Sequence, residues 1–210
     1  MLWFLGAQVF ANLTRGNIQG IMSLYMAYAY GIGPQSLGFI ATANSLFIIP
    51  IGFMSGFIMD RYGRKKTIVP GFTGLALSSA YLAWTVLGNA PFELFLVGFF
   101  ALHMSQAVTA GNMQVLGSDL APARARGRFI GIWRFLAQLG QASSPAMFSL
   151  FALAGYAASF GFVGTCGLIT ALIVGLKVKE TVGRRVTPVT EAAKAEPDAA
   201  ALPAEEKAAP

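Results

Sequence analysis

Charge is the scarcest feature of this sequence. Only 11% of its 210 residues are Asp, Glu, Lys or Arg, whereas 55% are hydrophobic, and a soluble domain carries about 25% charged residues. The few charges are also unevenly placed, because most of them lie in two short loops and in the C-terminal tail. The runs between them are about 20 residues long, the length that a helix needs to cross a bilayer. The composition therefore indicates an integral membrane protein.

Several residue types and motifs are also missing, and each absence excludes a class of function. Cys166 is the only cysteine, so no disulfide framework or cysteine-rich metal site can form. No G-x-x-x-x-G-K-[ST] loop is present, which disfavours an ATP-driven pump. Without a Ser/His/Asp, metal-binding or paired-carboxylate set, we expect neither an enzyme nor a bound cofactor or metal. The net charge of +6 comes mainly from loops, where Lys and Arg set orientation, so we expect no nucleic-acid partner.

Six apolar runs predict an all-α membrane protein, folded as a bundle of six transmembrane helices. Three of the breaks between runs contain turn glycines, at residues 31–34, 88–91 and 155. The other two breaks are charged, at residues 60–66 and 119–128. The predicted spans are residues 4–30, 36–59, 67–87, 92–116, 129–154 and 156–176, within a membrane domain of residues 1–185.

The distribution of Lys and Arg predicts the orientation of the chain. The two charged connections and the segment after the last span are basic, whereas the remaining three connections contain no Lys or Arg. Basic loops stay in the cytoplasm, so we expect a multi-pass protein of the cell (plasma) membrane with both termini cytoplasmic. Residues 186–210 are rich in Ala, Pro, Glu and Lys and predict a disordered cytoplasmic tail. The first residues carry no basic side chain, which suggests that the chain once continued upstream.

Polar side chains follow one face of several predicted spans. In the first span, polar residues recur at steps of four, three and four from Gln8 to Gln19, which keeps them on one side of a helix. The fourth and fifth spans carry similar stripes, whereas the third and sixth have no Asn, Gln, His or charged residue in their interiors. Because polar groups are costly in lipid, we expect the first, second, fourth and fifth helices to line a cavity. The candidate substrate-cavity residues are Asn12, Arg15, Gln19, Asn44, His103, Gln106, Arg134 and Gln138.

Arg15 lies about 11 residues into its predicted span, where the insertion of Arg costs at least ~2.5 to 3.5 kcal/mol. A carboxylate, backbone carbonyls, water in a cavity or an anionic substrate group could offset that cost. For each Gln or Asn, hydrogen bonding between helices is an alternative to contact with a ligand. His103 has the same packing alternative, and Arg134 lies near enough to the interface to snorkel. No Asp or Glu lies within a span, so a proton-coupling group in this chain would be His103.

The most specific pattern is G-x-x-x-D-R-x-G-R-K-K at residues 56–66, between the second and third spans. Gly56 allows close contact between helices, and Gly63 permits a sharp cytoplasmic turn. Asp60 is predicted to bind a helix N-terminus, near the start of the fifth span, and to pair with Arg or Lys as a conformational latch. The alternative is a plain basic loop with a turn glycine. The motif residues are Gly56, Asp60, Arg61, Gly63, Arg64 and Lys65.

This motif resembles the loop between the second and third helices in each half of a major facilitator superfamily transporter. Residues 119–127 and 180–185 resemble two further connections of that family. The resemblance implies one six-helix half of a 12-helix transporter, the C-terminal half rather than the N-terminal one, with the third and sixth helices outside the cavity. It also implies secondary active transport of a small molecule by alternating access, coupled to ions or protons and directed towards efflux.

The partners that the resemblance implies are a small-molecule substrate, the lipid bilayer and a second six-helix half. That half could be a missing region, a separate chain or a second copy in a homodimer. Because two halves must move around a shared site, we expect no transport from a monomer of this chain. The rival interpretation is a non-transporting membrane subunit, or a relic half that binds a partner.

Overall fold

The computed structural model describes residues 2–122 and 125–177, without the side chains of residues 2, 17, 19 and 20. This part of the chain contains helices and no strand. The helices are α1 (Leu2–Tyr30), α2 (Pro34–Tyr62), α3 (Arg64–Leu87), α4 (Phe92–Leu120), α5 (Arg126–Ala152) and α6 (Tyr156–Lys177). The predicted all-α, six-helix bundle is confirmed, and each helix coincides with one predicted span to within a few residues. The predicted tail and the segment at residues 180–185 lie outside the described residues.

The helices have the length that a membrane span requires. They contain 22 to 29 residues, which at 1.5 Å per residue is about 33 to 44 Å, against a hydrocarbon core of about 30 Å. Three of them, α2, α4 and α6, are also apolar enough by composition to cross a membrane. The polar side chains of α1, such as Gln8, Asn12 and Arg15, lower its hydropathy, so apolar content alone does not single out this helix.

The bundle has a rear layer and two helix pairs in front. α3 and α6 pack against each other and form the rear layer. In front of them, α1 packs on α5 and α6, whereas α4 packs on α3 and α2. Little contact joins α1 to α4, or α4 to α5. We call the boundary between the α1–α5 pair and the α2–α4 pair the seam.

Small residues let α1 and α5 cross closely. A Cβ atom built on Gly140 of α5 would lie 2.7 Å from the carbonyl oxygen of Val9, and one on Gly16 would lie 2.6 Å from Ser144 Cβ. The hydroxyl of Ser144 donates a hydrogen bond to the carbonyl oxygen of Leu13. In a membrane, where lipid is as apolar as a side chain, such packing and hydrogen bonding are what hold helices together.

Glycines with positive φ make two of the tight connections. Gly63, the single residue between α2 and α3, has φ +110°, and Gly155 has φ +119° just before α6. Glycine adopts this conformation readily, whereas other residues are strained in it. The turn predicted at Gly63 is therefore present. We call the end of the bundle that carries Gly63 the loop end. Lys177 Nζ contacts the Trp3 ring at this end, 5.8 Å from its centroid.

α2 exposes most of its surface. Only Asn44, Ser55 and Met59 are buried along this helix. The exposed residues include large apolar side chains, namely Phe39, Leu46, Phe47, Ile49, Phe53, Met54 and Phe57. An apolar face of this size fits contact with lipid or with another protein surface rather than with water.

Candidate functional site

Arg15 bridges the seam near the middle of the bundle. Its Nη2 donates a hydrogen bond of 2.7 Å to the carbonyl oxygen of Thr109 on α4. Its guanidinium group also lies over the ring of Phe72 on α3, 5.7 Å from the ring centroid, where a cation is attracted to the aromatic face. Of the four ways in which the sequence could offset this charge, the structure shows a backbone carbonyl, and it adds the aromatic ring.

The bonding of Arg15 is incomplete. Its Nε is buried and has no hydrogen-bond partner among the described residues. The carboxylates of the described residues are Asp60, Glu93 and Asp119, and all three lie at helix ends. The guanidinium charge therefore meets neutral groups only within the described chain.

The other described residues of the polar stripe on α1 form no side-chain bond to another helix. Asn12 is buried, and its Nδ2 donates to the backbone carbonyl oxygen of Gln8 at 2.8 Å. Gln8 is also buried, and its Oε1 has no partner among the described residues. The side chain of Gln19 lies outside the described residues. Of the predicted stripe on α1, Arg15 is thus the described member that reaches another helix through its side chain.

His103 is packed inside the bundle. Its Nδ1 lies 2.9 Å from the carbonyl oxygen of Phe99, one turn earlier on α4, and its ring centroid lies 4.1 Å from that of Phe99. These contacts correspond to the packing alternative. Gln106, on the same helix, is partly buried, and its backbone carbonyl oxygen accepts a hydrogen bond from Thr109 Oγ1 at 3.0 Å.

A polar contact between α2 and α4 did not feature in the sequence prediction. Asn112 Nδ2 donates to Ser55 Oγ at 2.9 Å, and Ser55 Oγ donates to the carbonyl oxygen of Val108 at 3.0 Å. Both side chains are buried. Asn112 is recognisable in the sequence as a polar residue in an apolar span. Ser55 lies among glycines, and nothing in the sequence indicates that it is the partner of Asn112. The predicted Asn44 is buried too, and its Oδ1 has no partner among the described residues.

The polar stripe of α5 borders a groove against α4, towards the loop end. The groove has a volume of about 310 Å³. Arg134 lines it and is exposed, and Gln138 is exposed one turn further along. Trp133 is buried beside it, with an indole N–H that has no partner among the described residues. The lining residues are Gln114, Val115, Gly117, Ser118, Ile130, Trp133 and Arg134.

The loop motif and the end of α4 are joined by an ion pair. Arg64, at the start of α3, pairs with Asp119, which the sequence placed in a separate motif. Asp60 is exposed and forms no ion pair with a described residue, so the contact predicted for it with the start of α5 is not made here. Arg61 is exposed and lies over the Tyr62 ring, 5.8 Å from its centroid, and Lys65 is partly buried.

Gly56 lies in open space within the described chain. No described atom outside its own helix turn lies within 4 Å of a Cβ built on Gly56. The close helix contact that Gly56 allows is therefore not made within the described chain, because this part of α2 faces outward. Close contacts occur at other glycines, among them Gly16 and Gly140, where α1 and α5 cross.

Comparison with known proteins agrees with this architecture. The family model described as the Major Facilitator Superfamily matches residues 4–206. The chain belongs to the major facilitator superfamily. This family comprises membrane transporters, so the chain is classed with transport proteins and not with enzymes.

Two relatives illustrate the similarity. The chain is 27% identical over 96 residues to a putative proline/betaine transporter of Staphylococcus aureus (strain COL), a match that covers 46% of this chain and 20% of that relative. It is 30% identical over 76 residues to a facilitated glucose transporter homolog of Caenorhabditis elegans, covering 36% of this chain and 14% of that relative. The matched region thus spans a fifth or less of either relative.

Proposed function

We propose that the chain is one six-helix half of a secondary transporter that moves a small polar solute across the cell membrane by alternating access. The observation that carries the proposal is the seam. Two helix pairs with little mutual contact are bridged near mid-bundle by a cationic side chain whose bonding is incomplete. Transporters that rock two halves around a central site hold their solute at this depth.

A second half would cover the front of the bundle. Arg134, Gln138 and Gln141 are exposed along one stripe of α5, beside exposed apolar residues such as Phe135 and Leu139. Exposure to lipid is costly for the polar side chains, and exposure to water is unfavourable for the apolar ones. A mixed surface of this kind supports a partner that packs on the apolar residues and leaves a water-filled passage along the polar ones. The partner would be another region of the same protein, a separate chain or a second copy.

The direction and coupling that we propose are efflux driven by protons or another ion, with both chain termini in the cytoplasm. His103 is engaged with Phe99, and no carboxylate lies in the interior of the described helices. The coupling carboxylate is therefore assigned to the second half. A single cysteine at Asn89, which is exposed between α3 and α4, should react only from outside the cell; reaction only from the cytoplasm would overturn the orientation.

A flux measurement tests the transport proposal. The protein as it occurs in the cell is overproduced, and inside-out and right-side-out vesicles are compared for flux of labelled proline, glycine betaine and glucose, the solutes suggested by the relatives' names. We expect flux of a solute that responds to a pH or ion gradient and collapses with an ionophore. An inserted, folded protein that moves no solute would instead favour the non-transporting subunit.

A further inference from the structure

The charge of Arg15 lies where neutralisation is hardest to supply. Arg15 is near the middle of the 29-residue helix α1, and the side chain is partly buried. Loop-end cations have water and the carboxylate of Asp119 within reach, as the Arg64–Asp119 pair shows. No described carboxylate is available at the depth of Arg15.

The donors of Arg15 are also not fully used. A guanidinium group carries five N–H donors and no acceptor. One terminal nitrogen donates to the backbone carbonyl oxygen of Thr109. Nε is buried and has no partner among the described residues. A carboxylate can accept two parallel hydrogen bonds from such a group, which a neutral hydroxyl cannot do with comparable strength.

We infer that the solute carries a carboxylate, and that Arg15 binds this group in the seam through Nε and a terminal nitrogen. This inference rests on the proposed transport function and specifies its substrate class. A neutral polyol would leave the charge of Arg15 uncompensated near the membrane centre. A carboxylate would neutralise that charge and would also supply a hydrogen-bond acceptor for Nε. Arg15 thus becomes a specificity-determining residue for anionic or zwitterionic solutes.

Matched pairs of solutes make the inference testable. Glycine betaine and choline differ by a carboxylate in place of an alcohol, and lactate and lactamide differ by a carboxylate in place of an amide. Binding to the purified protein is followed by the thermal shift that each solute produces, and flux is followed in vesicles. The variants are Arg15→Gln, which removes the charge, and Arg15→Lys, which keeps it. Arg128→Gln removes an exposed Arg of α5 and is the control for a change in net charge.

The unmodified protein should bind at least one carboxylate about tenfold or more tightly than its counterpart without the carboxylate, a preference that charge-assisted, bidentate bonding can supply. Arg15→Gln should abolish this preference, Arg15→Lys should keep part of it, and Arg128→Gln should leave it unchanged. Because the thermal shift does not require transport, this part of the test does not depend on turnover.

Three results would overturn the inference. Equal binding of both members of each pair, or binding of neither carboxylate, would show that the seam does not select this group. An equal loss of affinity for the solutes with and without a carboxylate in Arg15→Gln, with a lower melting temperature, would make Arg15 structural. Weaker association with the second half at unchanged selectivity would assign the counter-charge to that half. Absence of flux alone, with the carboxylate-specific thermal shift retained, would count against the transport proposal, whereas the binding of a carboxylate at Arg15 would stand.

Discussion

Arg64 at the loop end and Arg15 in the seam are the same residue type, and the fold treats their charges differently. Arg64 pairs with Asp119, and both side chains remain partly exposed, at 22% and 26%. Arg15 instead meets a backbone carbonyl and an aromatic ring. A carboxylate is nearly as costly as an Arg in the membrane interior, so a neutral acceptor avoids placing a second ion there. Among the described residues, the chain therefore forms an ion pair at the loop end and leaves the charge of Arg15 in the seam without one.

The largest expected effect breaks the framework that supports the seam. In Gly140→Val, the new side chain would begin 2.7 Å from the carbonyl oxygen of Val9, and the backbone there cannot give way easily. We expect destabilisation of about 1–3 kcal/mol or more, measured as a lower melting temperature and lower yield in detergent. Gly131→Ala, where a Cβ meets open space, is the control. Equal stability of the two variants would show that α1 and α5 do not cross as described.

A second pair of glycines tests the loop end. Gly63→Val places a β-branched residue at φ +110°, and such strain costs of order 1–3 kcal/mol. Gly56→Val changes the other glycine of the same motif at a site with open space, and should be nearly neutral in the isolated chain. Melting temperatures of both variants decide the point. A greater loss for Gly56→Val would mean that the close contact sought at Gly56 exists after all, against a partner.

Asp60 carries no ion pair in the described chain, so its charge is free to act in another conformation of a complete transporter. Asp60→Asn keeps the shape and removes a contact worth about 1 kcal/mol. We expect the transport rate per folded molecule to fall severalfold while the protein level stays within about twofold. An unchanged rate would reduce the motif to a topology signal.

The smallest effect concerns the ion pair of the loop end. A double-mutant cycle of Arg64→Gln and Asp119→Asn should give a coupling energy of about 1 kcal/mol or less, because both side chains are partly exposed. The coupling should shrink further at high salt. A coupling of several kcal/mol would show that the loop end is shielded from water as strongly as the seam. The contrast between the two regions would then be lost.

The six-helix fold, the turn at Gly63 and the unusual position of Arg15 can all be predicted from the sequence. Long apolar runs interrupted by Gly, Pro and charge predict six helices, because length and turn chemistry act locally. The turn at Gly63 follows for the same reason. The cost of an Arg in an apolar span also singles out Arg15 from the sequence alone.

The partners of these residues were not predictable in the same way. Nothing marks Thr109 as the acceptor for Arg15, because every residue has a carbonyl and only the crossing of α1 and α4 selects one. Asp60 and Asp119 are both loop carboxylates, and the tertiary arrangement decides which one meets Arg64. Likewise, Gly56 and Gly140 look alike in sequence, and only the direction in which each helix face points separates an open glycine from a close contact.

Water access to the front of the bundle is the most direct measure of whether the seam belongs to a solute pathway. Cys166 is the only cysteine, so Cys166→Ser gives a background for single cysteines at Gln138 on α5 and Leu168 on α6, both exposed in the structure. A membrane-impermeant thiol reagent, applied to opened membranes, should label Gln138→Cys and spare Leu168→Cys, because we propose that this face of α6 contacts lipid. Labelling at Leu168 with protection at Gln138 would contradict a wet cavity in front of the seam.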